Sequence, residues 1–303
     1  MPVYRGRFAP SPTGDLHLGS LLAAVASYLE ARVAGGEWLL RIEDLDPPRI
    51  VPGAADRILQ ILDAYGFEWD GPVRYQSERG DLYLAEIERL KSTGWLYGCA
   101  CTRKEIAAIA HAGIDGPVYP GTCRTGLAGG RMARAWRLRV GEAVVDFEDA
   151  VQGWRRQDLV REVGDFALLR ADGLVAYQLA VVVDDAAQGI THVVRGADLL
   201  DSTPRQCYLQ QRLGYLRPAY AHIPVLVNAQ GEKLSKQTLA APLQAGLAVH
   251  SLVAALALLR QLPPQDLNRA SLAEVWQWAR SHWRIDALAG VKSITMQGVD
   301  TGF

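Results

Sequence analysis

Apolar positions recur along this chain in two periods, and the switches between them mark its elements. Residues 18–32 carry Leu21, Leu22, Val25, Ala26 and Leu29 near 3.6 spacing, which predicts a helix. Before it, Val3-Tyr4-Arg5-Gly6 is short and strand-capable. Between them, Ala9-Pro10-Ser11-Pro12-Thr13-Gly14 is a loop, because two prolines fix φ and remove donors. Glu37–Ile42 reads as a second strand. It runs into Glu43-Asp44-Leu45-Asp46-Pro47-Pro48-Arg49, where the paired prolines stop regular structure. Residues 54–65, with Ile58, Leu59, Ile61 and Leu62 on one side, and residues 82–90 read as helices. This alternation of strand and helix argues for parallel βα units in an open α/β sheet, with ligands beyond the carboxyl ends of the strands.

From Cys99 to about Asp165 the pattern weakens. Glycine and proline become frequent, and short strand-like runs appear at 135–140 and 144–147. The stretch reads as an inserted subdomain. The α/β pattern resumes with a helix from Tyr177 and a strand at 191–195 that ends on Arg195. A helix over Thr203–Leu213 follows, then a strand-like run at 223–227 and a turn at Asn228-Ala229-Gln230-Gly231. Helices are expected at 247–262 and 272–283. The expected organisation is therefore a catalytic α/β domain in two halves, 1–98 and 166–237, interrupted by the insert at 99–165 and followed by a helical segment at 238–303.

Composition narrows the partners. Apolar residues make up 49%, ordinary for a globular protein, and the net charge of −1 removes any global attraction to nucleic acid. A nucleic-acid partner has to be met by a local patch. No apolar run reaches the length of a membrane span, since Ser27, Glu30 and Arg32 interrupt the best candidate, and the N-terminus lacks the apolar core of a signal peptide. Four cysteines do not suggest a disulfide scaffold. A cytoplasmic protein is expected.

Three groups of residues carry candidate chemistry. His17-Leu18-Gly19-Ser20 opens the first helix, where free N–H groups suit phosphate and Gly19 lets a ligand approach the backbone. Lys233-Leu234-Ser235-Lys236 places two mobile point charges within reach of a polyphosphate such as that of ATP. Cys99-Ala100-Cys101, with Cys123 further on in an insert poor in core residues, offers three thiolates that suit zinc. The fourth ligand is open on chemistry alone, and His111 is the ordinary candidate.

The string Arg7-Phe8-Ala9-Pro10-Ser11-Pro12-Thr13-Gly14 with His17-Leu18-Gly19-Ser20, and Lys233-Leu234-Ser235-Lys236 far downstream, resembles the two signatures of the class I aminoacyl-tRNA synthetases in their glutamyl form. Arg41-Ile42-Glu43-Asp44, Tyr75-Gln76-Ser77, Tyr177-Gln178-Leu179-Ala180 and Val194-Arg195-Gly196 match that branch in order. The resemblance spans roughly residues 3–240. It implies a Rossmann-type catalytic domain that binds ATP, with its Mg²⁺, through Thr13, His17, Gly19, Ser20, Lys233, Leu234 and Lys236. Of these, His17, Lys233 and Lys236 would stabilise charge on the phosphates. It implies a glutamate site lined by Arg7, Ala9, Ser11, Glu43, Tyr177 and Arg195. Arginine forks suit the two carboxylates and Glu43 suits the ammonium. It points to Tyr119 as the fourth zinc ligand, because Cys-x-Cys followed by Tyr-x-x-x-Cys is the zinc pattern of a small glutamyl relative.

The stretch after Gln237 is too short for the helical domain with which full-length members grip the anticodon. That shortness, the Asp46-Pro47-Pro48-Arg49 segment, and Val181 in place of the usual Asn resemble the truncated glutamyl branch. The expected activity is activation of glutamate without tRNA, then transfer to queuosine in the anticodon of tRNA(Asp), by a monomer. Alternatives are a truncated enzyme charging a tRNA 3′ end, another nucleotidyl transferase acting on a small acid, and a non-catalytic glutamate sensor. Arg131, Arg134, Arg137, Arg139, Arg155 and Arg156 are candidate phosphate contacts.

Overall fold

The computed structural model describes residues 3–228, 230–231 and 241–295. Its elements run β1 Arg5–Phe8, α1 Leu18–Val33, β2 Glu37–Ile42, α2 Ala54–Ala64, β3 Arg74–Tyr75, α3 Gly80–Ser92, β4 Leu96–Cys99, α4 Arg103–Ile109, β5 Ala112–Gly113 and β6 Gly116–Pro117. They continue with β7 Ala135–Leu138, β8 Val144–Asp149, β9 Gly153–Asp158, α5 Leu159–Glu162, β10 Phe166–Leu169, α6 Tyr177–Ala187, β11 His192–Gly196, α7 Thr203–Leu213, β12 Ala219–Ile223, β13 Val225–Val227, α8 Ala248–Leu258, α9 Leu272–His282 and β14 Ser293–Thr295. No described helix is long and apolar enough to cross a membrane.

Strands β1, β2 and β3 pair in parallel, as do β11 and β12. Thr191 N–H donates to the Arg5 carbonyl at 2.9 Å, and Arg5 N–H donates to Thr191 Oγ1 at 2.8 Å. The two sets therefore lie side by side in the order β3-β2-β1-β11-β12. The direction of winding reverses between β1 and β11. Such a switch point leaves a crevice beyond the strand ends.

Alternation along each strand builds two cores. Leu39, Val193 and Tyr220 face one core, and their successors Leu40, Val194 and Ala221 face the other. Helices α1, α8 and α9 cover the second face, and α3, α6 and α7 cover the first. The sheet is thus buried on both sides.

Strand β7 of the expected insert joins β4 and β10, which flank it in sequence, in an antiparallel sheet of order β10-β7-β4. The β8–β9 hairpin lies within the expected insert by sequence, yet Asp149 of β8 pairs with Tyr220 of β12, so the hairpin extends the edge of the catalytic sheet. The run at 223–227 is not one strand. Pro224 has no N–H to give, and β13 beyond it pairs in parallel with β14, a three-residue strand too short to show a period. Helix α8 stops at Leu258 rather than 262. Leu262 precedes Pro263, which disfavours helical backbone, and both Arg260 and Leu262 take positive φ, 59° and 55°.

An aromatic cluster fastens the C-terminal helices to the first βα unit. Tyr28 meets Trp38 at 5.1 Å and Trp276 at 4.9 Å between ring centroids, and Phe67 meets Trp276 at 5.0 Å. Trp276 Nε1 also donates to the Tyr65 carbonyl at 2.9 Å, and Arg280 Nη2 to the Tyr28 hydroxyl at 2.8 Å.

Candidate active site

Register places three arginines on one face of the sheet. Arg7 of β1 lies opposite Leu39 of β2, Arg41 follows Leu39 by two, and Arg195 of β11 follows Val193 by two. Helix α6 covers that face, with Tyr177 at its start and Asp184 and Asp185 near its end. Asp185 accepts from Arg7 Nε at 3.2 Å and from Arg41 Nη2 at 2.8 Å. Arg41, fully buried, also reaches Glu43 Oε1 at 3.3 Å and Gln188 Oε1 at 2.6 Å. Asp184 takes Arg79 Nε at 2.5 Å, Gln76 Nε2 at 2.8 Å and the Tyr83 hydroxyl at 2.8 Å. Opposite charges meet here because an unpaired buried ion costs several kcal/mol.

These neighbours set the acidities apart. Burial raises the Asp185 carboxyl, but Arg7 and Arg41 outweigh it and leave the group below its ordinary value. For Glu43 burial prevails over Arg41 and Arg7, so its carboxyl sits above the ordinary value near 4.5. Burial also raises the Tyr177 phenol, which keeps its proton.

Arg195 is held by a second network. Its Nε donates to His222 Nε2 at 3.0 Å, and its Nη2 to Thr203 Oγ1 and Gln206 Oε1, both at 2.8 Å. Its Nη1 lies 3.5 Å from the Tyr177 hydroxyl. His222 Nδ1 is 2.5 Å from Asp149 Oδ2, and both side chains are fully buried.

The Pro-rich loop crosses the ends of β1 and β2. Glu43 N–H donates to the Pro10 carbonyl and Val51 N–H to the Pro12 carbonyl, both at 3.0 Å. In this loop Ala9 is half-buried, Ser11 exposed and Thr13 half-buried. His17 is the N-cap of α1: its Nδ1 accepts from Ser20 N–H at 3.4 Å, while its own N–H donates to Ser20 Oγ at 2.7 Å. Ser20 therefore closes a capping box, and with Gly19 it stands in the first turn. Pro242 bridges to His17, and Leu243 N–H donates to the Leu16 carbonyl at 2.8 Å. Lys233, Leu234 and Lys236 lie outside the described residues.

The sulfurs of Cys99, Cys101 and Cys123 all lie within 4.8 Å of one another. The Tyr119 hydroxyl stands 3.3 Å from Cys99 Sγ and 3.6 Å from Cys101 Sγ, and Cys101 Sγ is 3.6 Å from Cys123 Sγ. Zinc–sulfur bonds of about 2.3 Å in a tetrahedron put sulfurs roughly 3.8 Å apart, so this donor set fits a zinc ion. Burial, with the neighbouring thiols, pushes the Tyr119 phenol and the Cys101 thiol up, a condition that a cation relieves. His111 is not in that group, and its Nε2 meets the Arg161 carbonyl at 2.7 Å. Gly164 takes φ +69°, and a Cβ there would stand 2.7 Å from the Tyr119 carbonyl, so only glycine lets the chain pass so close. Asp165 braces the centre from behind through a forked pair with Arg124, at 2.6 and 2.7 Å, and through the Tyr97 hydroxyl.

Three of the candidate phosphate-binding arginines are engaged within the protein. Arg131 pairs with Glu105 at 3.0 Å, Arg137 stacks 4.2 Å from the Tyr119 ring centroid, and Arg139 donates to the Arg124 carbonyl. Arg155 is half-buried, whereas Arg134 and Arg156 are exposed.

Sequence reasoning missed Arg41, Asp185, His222 and Asp149. Two adjacent acids ending the apolar run of α6 were a signal, since acids on a buried helix require cations. A histidine inside the apolar strand β12 was a weaker one.

A family model for the catalytic domain of class I tRNA synthetases (E and Q) matches residues 4–261. The "Glutamyl-Q tRNA(Asp) synthetase" of Dechloromonas aromatica is 63% identical over 94% of this chain and 95% of its own length. That of Chromobacterium violaceum is 62% identical over 93% of this chain and 94% of its own. Among solved structures, a glutamate tRNA ligase from Elizabethkingia meningosepticum, in complex with its amino acid, superposes with a TM-score of 0.81 at 25% identity. The match covers 98% of this chain and 68% of that one.

Proposed function

The chain belongs to the class I tRNA synthetases for E and Q, and within them to the glutamyl-Q tRNA(Asp) synthetases; from that membership we propose that it activates glutamate with ATP and transfers it to queuosine in tRNA(Asp). The observation that carries the reading is identity above 60% with relatives of that name over nearly the whole of both chains. The arrangement around α6 supports glutamate as the substrate. Arg7 and Arg195 suit two carboxylates, Glu43 suits the ammonium, and Tyr177 adds a hydroxyl that keeps its proton.

The reaction has two steps. A glutamate α-carboxylate oxygen attacks the α-phosphorus of ATP, and pyrophosphate leaves. A hydroxyl of the queuosine cyclopentene diol then attacks the carbonyl of glutamyl-adenylate, and AMP leaves. The diol presents vicinal hydroxyls as a terminal ribose does, so no new catalytic group is needed. His17, at the start of α1, together with Lys233 and Lys236, stabilises charge growing on the phosphates by electrostatic preorganisation. Magnesium carried with ATP neutralises phosphate charge. Cys99, Cys101, Tyr119 and Cys123 would hold zinc, which ties β4 to the 119–123 loop as a structural cross-link. Use of tRNA, ATP and glutamate supports a cytoplasmic location.

The test is transfer of labelled glutamate to purified tRNA(Asp), followed by digestion with a G-specific nuclease. Label is expected on the anticodon fragment and absent from tRNA lacking queuosine. Label on the 3′-terminal fragment would overturn the reading in favour of a charging enzyme.

A further inference from the structure

Arg195 carries five N–H donors, and among the described residues three of them, on Nε and Nη2, are held at 3.0 Å or closer. Nε is taken by His222, and Nη2 is shared between Thr203 and Gln206. Only Nη1 is left toward Tyr177, whose hydroxyl is 3.5 Å away. The Tyr220 ring lies against the guanidinium, with Arg195 Cζ 5.5 Å from the centroid. A planar fork fixed on two edges and one face has a single direction left in which to meet a ligand.

We propose that Asp149 and His222 form a positioning relay that fixes Arg195 so that its Nη1 edge, beside the Tyr177 hydroxyl, receives a carboxylate of the glutamate substrate. Asp149 Oδ2 accepts a hydrogen bond from His222 Nδ1–H, which leaves Nε2 as an acceptor for Arg195 Nε–H. Burial keeps the imidazole neutral, at about 4 despite the adjacent carboxylate, so the acceptor persists throughout the neutral range. The inference rests on the reading of Arg195 as a glutamate ligand. Asp149 and His222 touch no substrate and act through Arg195.

Asp149→Asn tests it with no change of shape. An amide N–H in place of Oδ2 donates to His222 Nδ1 and drives the proton to Nε2, where it faces Arg195 Nε–H, donor against donor, and competes with Arg195 Nη2 for Thr203 Oγ1, 3.0 Å from Nε2. Glutamate-dependent exchange of pyrophosphate into ATP is measured with both substrates varied. The expected result is a KM for glutamate raised about tenfold or more, with the KM for ATP within about twofold of the parent. Asp149 also receives the backbone N–H groups of Val151, Gln152 and His222, so Gln206→Met, which removes one Nη2 acceptor, is assayed beside it with the same expectation. Nitrogen-15 NMR of the parent should show His222 protonated on Nδ1 alone. An unchanged KM for glutamate in a folded variant, a parallel rise in both KM values, or an Nε2–H histidine in the parent would overturn the relay. A parent without glutamate-dependent exchange would overturn the glutamate reading, and the relay with it.

Discussion

Arg41 and Asp185, 144 residues apart in sequence, are joined by a 2.8 Å hydrogen bond in the buried layer between the sheet and α6. The same carboxylate also holds Arg7. One anion thus sets the position of two guanidinium groups at the base of the candidate glutamate site.

Asp185→Asn is expected to lower stability by about 3–5 kcal/mol, because it takes the carboxylate charge from buried Arg7, while Arg41 keeps Glu43 and Asp184. The pH dependence follows from the depressed acidity of Asp185. A carboxyl whose folded pKa lies below its unfolded value contributes stability above the unfolded pKa, and the contribution is lost as pH falls through the folded one. Thermal melts between neutral pH and about pH 3 should therefore fall more steeply for the parent than for Asp185→Asn.

Glu43 has the opposite sign. Its carboxyl is raised by burial, so protonation is favoured in the empty site and charge is favoured once an ammonium arrives. The KM for glutamate should fall as pH rises through the raised pKa of Glu43. Glu43→Gln should raise that KM and flatten its pH profile. A parallel profile in the variant would remove Glu43 as the partner of the ammonium.

One zinc per chain is expected by elemental analysis. Cys101→Ser should lose it, Tyr119→Phe should weaken its retention against a chelator, and His111→Ala should leave it unchanged. Zinc lost in His111→Ala but kept in Tyr119→Phe would transfer the fourth position to the histidine.

Lys236→Ala is expected to reduce glutamate-dependent pyrophosphate exchange by roughly a hundredfold, about 3 kcal/mol of transition-state stabilisation. The melting temperature should stay within a degree or so of the parent. Exchange within a few-fold of the parent would withdraw the assignment.

Trp276→Ala should cost about 3–5 kcal/mol, the range for deleting a large aromatic side chain from a packed core. Its ring is shared with Tyr28 and Phe67, so the loss reaches the first βα unit as well as α9. Denaturant unfolding followed by tryptophan fluorescence measures it.

Local order was legible in the amino-acid sequence. Period 3.6 over residues 18–32 marked α1, because the helix buries one stripe against a core, and the short apolar run within Glu37–Ile42 marked β2. The signatures around His17 and Lys236 and the spacing of Cys99, Cys101 and Cys123 pointed to phosphate and metal chemistry, since these groups are contiguous or nearly so along the chain, and Tyr119 came from the family resemblance. The family resemblance rested on the same local strings. Tertiary structure decided which distant groups face each other. Arg41 could not be assigned to Asp185, nor Arg195 to His222 and Asp149, because strand pairing and the packing of α6 join residues that share no local pattern. It also moved the β8–β9 hairpin to the edge of the catalytic sheet, paired β13 with β14, and turned Arg137 inward onto Tyr119. A charge in a sequence shows that a partner is required. Only the folded chain shows whether that partner is solvent, a substrate or another side chain, because burial sets the cost of leaving it alone.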